Sequence, residues 1–199
     1  MSENIENKLL LEYREKTIHG DIIDLVPLSE KDLPNIVALR NKDKYSYFFN
    51  QQKKITLDDQ KEWFSKYLDK DNDIYWAIYN KNNTFIGAVR IYGVDYDNKV
   101  CEHGSFMIDE DYANEAPYAV EALLLSIDFP FNILGMETII NENRSDNKVM
   151  NNLSRKLGYL FEKEVLINDV KYNYLTLNRN NYEKNRSKFS SAIEYWKNR

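Results

Sequence analysis

Apolar and polar positions alternate along this chain with a period that changes repeatedly, and each change marks an expected element. Residues 5–16 (IENKLLLEYREK) space their apolar side chains for a short amphipathic helix, and Ile22, Ile23, Leu25, Val26 and Leu28 then read as a first strand. Ser29 predicts a helix cap. Glu30 and Asp32 suit the first turn, and Leu33, Ile36, Val37 and Leu39 follow at helical spacing until about Arg40 and Asn41. A second helix over residues 57–68, capped by Thr56, is expected to turn Trp63, Phe64 and Leu68 inward. Residues 75–79, 84–94 and 99–109 then read as three strands separated by Asn/Asp-rich turns, an antiparallel meander.

The second half opens with Pro117 at the expected first position of a third helix, whose run from Tyr118 to Phe129 is apolar almost all round and should be buried. Pro130 should bend or end it, because proline removes a helical donor and clashes with the preceding turn. Residues 136–141 read as a buried strand. Asp146 is the expected cap of a fourth helix, with Val149, Met150, Leu153 and Leu157 inward and Gly158 as its left-handed exit. Residues 159–165 and 170–177 pair as a hairpin around Asn168 and Asp169, and residues 181–199 carry a helical stripe of Phe189, Ile193 and Trp196. The pattern divides the chain into an N-terminal extension (1–19), one domain (20–178) and a C-terminal helical extension (179–199). The expected class is α/β in the broad α+β sense: a mixed, mostly antiparallel twisted sheet flanked by helices.

Composition narrows the function classes. A length of 199 residues with 43% hydrophobic content supports one substantial core rather than two domains. The formal charge of -5 argues against a nucleic-acid partner, which would call for clustered positive charge. The longest apolar stretches are too short for a membrane span, and the start MSENIENK has no apolar signal core, so a cytoplasmic protein without membrane association is expected. One cysteine and two histidines leave no metal site in view.

Three local motifs sharpen the picture: Tyr118-Ala119-Val120-Glu121-Ala122, Cys101-Glu102-His103-Gly104, and Asn147 followed by Lys156-Leu157-Gly158-Tyr159. With the order of elements, they make residues 20–178 resemble the GNAT (general N-acetyltransferase) superfamily. Together with Leu39-Arg40-Asn41 and Trp63-Phe64, they look most like its bacterial branch that acetylates nucleotide-linked amino sugars for surface glycans. The resemblance implies acetyl-coenzyme A as acyl donor and a small-molecule amine as acceptor. Protein N-terminal and polyamine acetyltransferases share several of these features and stay open as alternatives. So does a noncatalytic binding domain, because the coenzyme signature Arg/Gln-x-x-Gly-x-Gly/Ala reads here Asn114-Glu115-Ala116-Pro117-Tyr118-Ala119. Proline removes one of the helix-start donors that would hold a pyrophosphate, and Asp109, Glu110, Asp111 and Glu115 add repulsion. Arg144, Lys148 and Arg155 offer compensation.

The resemblance assigns coenzyme contacts to Asn114, Tyr118, Ala119, Val120 and Asn147, and a backbone amide near Met107 or Ile108 to the thioester oxygen. Ser154 occupies the position of the family's usual tyrosine acid and could donate a hydrogen bond instead. An acceptor amine, protonated at neutral pH, needs a base, and Glu102 is the preferred candidate over His103. In an extended strand the two point to opposite faces, so one is a bystander. For the acceptor, Arg40, Asn41, Tyr45, Phe48 and Arg90 supply an anion clamp and aromatic surface. Trp63 and Phe64 are expected in the core, and the stripe ending at Trp196 leaves a homodimer open.

Overall fold

The computed structural model describes residues 3–198, with side chains from residue 8 onward. Helix α1 (Glu3–Tyr13) leads to strands β1 (Ile18–His19) and β2 (Ile23–Pro27). A 3-10 turn at Glu30–Asp32 precedes helices α2 (Leu33–Arg40), α3 (Asp43–Phe48) and α4 (Leu57–Leu68). Strands β3 (Ile74–Asn80), β4 (Phe85–Asp95) and β5 (Val100–Ile108) form the meander, followed by α5 (Tyr118–Asn132), β6 (Thr138–Arg144) and α6 (Lys148–Leu157). The hairpin β7 (Leu160–Ile167) and β8 (Val170–Asn178) and the long helix α7 (Arg179–Lys197) complete the chain. The strands make one eight-stranded sheet in the order β1-β2-β3-β4-β5-β6-β8-β7, with β5–β6 its parallel pair. A parallel neighbour requires a crossover, which α5 supplies.

Each face of the sheet buries its own core. Ile74, Trp76 and Ile78 of β3 face α5, whose Ala122, Leu123 and Ile127 complete that layer with Leu10 of α1 and Ile193 of α7. The alternate residues Tyr75 and Ala77 face α2 and α4 and meet Leu33, Ile36, Phe64 and Tyr67. Glu121, in the first turn of α5, fixes this helix to the sheet: its carboxylate accepts the N–H groups of Asp21, Ile22 and Ile23 at 2.7–2.8 Å. Gly20 makes room for it, since a Cβ there would stand 2.8 Å from the carboxyl group.

Several boundary expectations shift. Pro117 is the residue before the α5 helix rather than its first turn, and Pro130 stays inside the helix because it falls in the last turn, where only Phe131 and Asn132 follow. The buried strand runs later than expected, over Thr138–Arg144. Asn147, not Asp146, caps α6, its Oδ1 accepting the Met150 N–H at 3.2 Å. Val149 of α6 and Leu68 of α4 are exposed at 76% and 55%, so neither is core. Ser154 and Tyr67 hold the corresponding inward positions. Trp63 is only half-buried and stacks on Tyr67 at 5.5 Å. Two elements without a clear periodic signal, α3 and the two-residue β1, appear only in the structure. No helix among the described residues is long and apolar enough to cross a membrane.

Candidate active site

The meander does not pair evenly. Arg90 faces Gly104 and Ala88 faces Met107, so Val89 is opposed by both Ser105 and Phe106. Ser105 takes a left-handed backbone conformation (φ 49°), which marks a β-bulge. On the other side of β5 the parallel pairing with β6 covers only Val100–Glu102 against Thr138–Ile140. Beyond Glu102 the two strands separate. A cavity of about 490 Å³ opens there, walled by His103, Gly104 and Phe106 from β5 and by Asn141, Glu142, Asn143 and Arg144 from β6. The parallel strands end at this opening, and the helices that follow them, α5 and α6, begin beside it. Ala119 and Asn147 both line it. Crevices beyond the carboxyl ends of parallel strands are where such sheets bind ligands, and helix starts there favour anions.

The start of α5 offers less than a full set of donors. The Tyr118 N–H bonds to Ala116 O, and the Val120 and Glu121 N–H groups bond to Pro117 O, which leaves the Ala119 N–H free among the described residues. Tyr118 and Val120 pack against the α5 core, and Asn114 is exposed on the preceding loop, so of these expected coenzyme contacts only Ala119 lines the cavity. The acidic loop is compensated locally. Lys42 reaches Asp109 at 2.5 Å and Asp111 at 3.4 Å, and Lys44 reaches Glu110 at 3.9 Å. Of the three basic residues offered in compensation, Arg144 lines the cavity, while Lys148 and Arg155 are exposed on α6 outside it.

Helix α3 bridges the mouth. The Tyr45 hydroxyl donates to Ile108 O and accepts the Ile108 N–H at 3.2 Å, and burial pushes its pKa up to about 12. Two residues on, Tyr47 donates to Asp146 at 2.6 Å, while Arg144 stacks over the Tyr47 ring at 3.9 Å and donates to its carbonyl at 3.0 Å. These contacts revise the expected oxyanion donors. Ile108 turns its N–H toward Tyr45, and alternation along the strand turns Met107 toward β4, where Asp109 also bonds Ile86 O.

Glu102 and His103 do point to opposite faces. His103 is 1% exposed on the α5 side, with Nε2 2.9 Å from Ser126 Oγ. The Ser126 hydroxyl also bonds Ala122 O at 2.7 Å. Burial pulls the pKa of His103 down to about 4. It lines the cavity as a neutral ring, not as a base at neutral pH. Glu102 lies on the other face, directly opposite Tyr92. Gly104, next on that face, leaves space for the Tyr92 ring: a Cβ there would meet its hydroxyl at 2.9 Å.

The remaining expectations divide. Arg40, Tyr45 and Phe48 line the cavity. Asn41 does not, because its amide is consumed in holding the following loop through Ile55 and Gln51. Arg90 does not either: it pairs with the buried carboxylate of Asp73 and stacks on Trp63 at 5.0 Å. Ser154 is buried under α6 and accepts from Asn143 Nδ2 at 3.0 Å, so it orients a wall residue instead of reaching the cavity. Sequence reasoning missed Tyr92, Asn141, Glu142, Asn143 and Tyr172. The polar Asn-Glu-Asn-Arg run ending β6 was the signal available, since polar residues at core-facing strand positions call for partners. No group of residues suited to a metal ion occurs among those described.

A parallel pair that splays between two helix starts leaves a crevice suited to a ligand. Residues 23–160 match the acetyltransferase (GNAT) domain family, so the chain belongs to the GNAT acetyltransferases, enzymes that use acetyl-coenzyme A. A search of curated proteins finds no significant match. Among solved structures, a GCN5-related N-acetyltransferase from Brucella melitensis superposes with a TM-score of 0.74 at 17% identity, over 89% of this chain and 85% of that one. The Vibrio cholerae spermidine N-acetyltransferase, in complex with CoA and spermine, gives 0.74 at 17% identity over 82% and 99%. FdhC, a nucleotide-linked sugar GNAT, gives 0.72 at 23% identity over 89% and 98%.

Proposed function

We propose that this N-acetyltransferase moves acetyl from acetyl-coenzyme A to the primary amine of a nucleotide-linked amino sugar. The observation that carries the acceptor is Arg40. Arg40 lines the cavity, its guanidinium stacks on Phe49 at 5.0 Å and interacts with the buried Tyr75, its buried Nε has no partner, and no carboxylate pairs with it among the described residues. By contrast, Arg90 and Arg144 are each neutralised, by Asp73 and Asp146. An unneutralised guanidinium among Phe48, Phe49 and Tyr172 suits a phosphate and the ring attached to it. The likeness to FdhC, a nucleotide-linked sugar GNAT, is in keeping with this acceptor.

The coenzyme fits the residues present. The Ala119 N–H offers a donor to its phosphates at the start of α5, and the lysine-paired loop removes much of the acidic repulsion. Glu102, on the acceptor face beside Tyr92, is the carboxylate that takes the amine proton, since His103 is buried on the far face and held neutral.

A second reading, a polyamine acceptor, is favoured by the carboxylates of Glu102, Glu142 and Glu162, which act together on Tyr174. Steady-state assays with a UDP-linked amino sugar and with spermidine decide between them. The sugar nucleotide should be the better substrate, and Arg40→Ala should raise its KM while coenzyme affinity stays unchanged. Faster turnover of spermidine, unaffected by Arg40→Ala, would sink the sugar reading.

A further inference from the structure

Acetyl transfer as described above uses one carboxylate, Glu102, at the edge of the cavity, yet a second, Glu142, lines the cavity itself. Glu102 on β5 pairs in register with Ile140 on β6, so Glu142, two residues further along β6, points to the same face on the opposite bank of the opening. Each bank has a tyrosine directly across from its carboxylate, Tyr92 opposite Glu102 and Tyr174 opposite Glu142. Glu142 lines the cavity and is exposed, whereas Glu102 lies half-buried.

We propose that Glu102 and Glu142 act as one proton-sharing pair that grips the acceptor ammonium between β5 and β6, making Glu142 a second catalytic carboxylate. The inference rests on the reading that the amine is acetylated in this cleft. The ammonium gives one proton to the pair. Its nitrogen then bonds the acetyl carbon as the carbon–sulfur bond breaks, the attacking nitrogen's surplus proton goes to the departing sulfur, and the proton held by the pair leaves through exposed Glu142 to water. A carboxylate facing a second one across a gap ionises less readily, so Glu142 holds a proton more readily beside Glu102 than it would alone. In keeping with this, partial burial and then the charge of Glu102 push the Glu142 pKa up. Lys163 on β7 opposes that shift. The other charged and titratable groups acting on this face are Arg90, Tyr92, Arg144, Asp146, Tyr172, Tyr174 and Glu162.

Two measurements test the pair. In protein carrying 13C at the glutamate carboxyls, with the Glu142 signal identified by its loss in Glu142→Gln, the Glu102→Gln variant should lower the pH at which Glu142 titrates. An unmoved titration overturns the proposal, whatever the enzyme acetylates. In kcat/KM profiles with a UDP-linked amino sugar and with spermidine, Glu142→Gln should lose about 10²-fold and move the acid limb to lower pH. Glu102→Gln should do the same, and the double variant should lose little more than the worse single one. A Glu142→Gln profile that superimposes on wild type, or losses that multiply in the double variant, would refute a shared role. Coupled titration with neither amine acetylated counts against the acceptor reading alone.

Discussion

Replacing Tyr45 with phenylalanine isolates the contact that holds α3 to the edge of β5. The ring and its buried area remain, so no cavity or transfer cost enters. What is lost is one oxygen that serves both the N–H and the C=O of Ile108. Two net hydrogen bonds at about 0.5–1.5 kcal/mol each put the loss near 1–3 kcal/mol, with the lower end applying if water from the neighbouring cavity replaces the hydroxyl. For a domain of this size that corresponds to a fall in Tm of about 2–12 °C. Urea unfolding monitored by tryptophan fluorescence gives the free energy, and amide exchange reports the site directly: the Ile108 N–H should lose protection while its β4-facing neighbours keep theirs. The Ile108 N–H freed in this way becomes available to a ligand carbonyl, so saturating coenzyme A should recover part of the lost Tm. A stability within about 0.5 kcal/mol of wild type, together with unchanged Ile108 exchange, would show that Tyr45 does not satisfy this strand edge.

Three further substitutions probe other levels of the argument. Glu102→Gln should lower turnover about 10²–10⁴-fold at neutral pH while calorimetric titration finds coenzyme A affinity unchanged; undiminished turnover would remove Glu102 as proton acceptor. His103 is held neutral when folded, with its pKa lowered from 6.5 to about 4, so the unfolded chain binds the extra proton between those values and stability falls as pH drops through that window. The loss amounts to about 3 kcal/mol, and His103→Gln should flatten the wild-type slope between pH 6.5 and 4 in urea titrations; an unaltered slope would mean the ring is not buried neutral. Gly87→Ala would place a Cβ 2.1 Å from the backbone oxygen of Met107, forcing β4 and β5 apart beside the bulge. A loss above about 3 kcal/mol or failure to fold is expected from such overpacking, and a variant as stable as wild type would contradict the close strand approach.

The periodic elements were legible because burial imposes period on sequence. The meander, the all-apolar helix α5, the amphipathic α7 and the hairpin at Asn168 and Asp169, both with positive φ, follow from spacing and turn chemistry alone. So did the opposed faces of Glu102 and His103, which need only the twofold repeat of a strand. Helix α3 was not legible. Six residues are too few to show a helical period, and this helix is held by tertiary bonds, from Tyr45 to β5, from Arg144 of β6 to the Tyr47 carbonyl and from Tyr47 to Asp146 just beyond β6, rather than by its own propensity.

The chain by itself therefore determined which strands and helices form and in what order, and the resemblance it carries led to the GNAT family. Only the tertiary structure decided where β5 and β6 part, because that depends on a bulge at Ser105 and Phe106 and on pairing that stops after three residues. It also decided which charges remain available. Arg40, Arg90 and Arg144 are equivalent as letters, but Asp73 and Asp146 neutralise two of them across the fold and leave one facing the cavity. Likewise Glu142, forty residues from Glu102 in sequence, comes to face it only because a parallel pairing sets the register. Electrostatic partnership falls off with distance in space, and distance in space is what a linear pattern of polar and apolar residues leaves open.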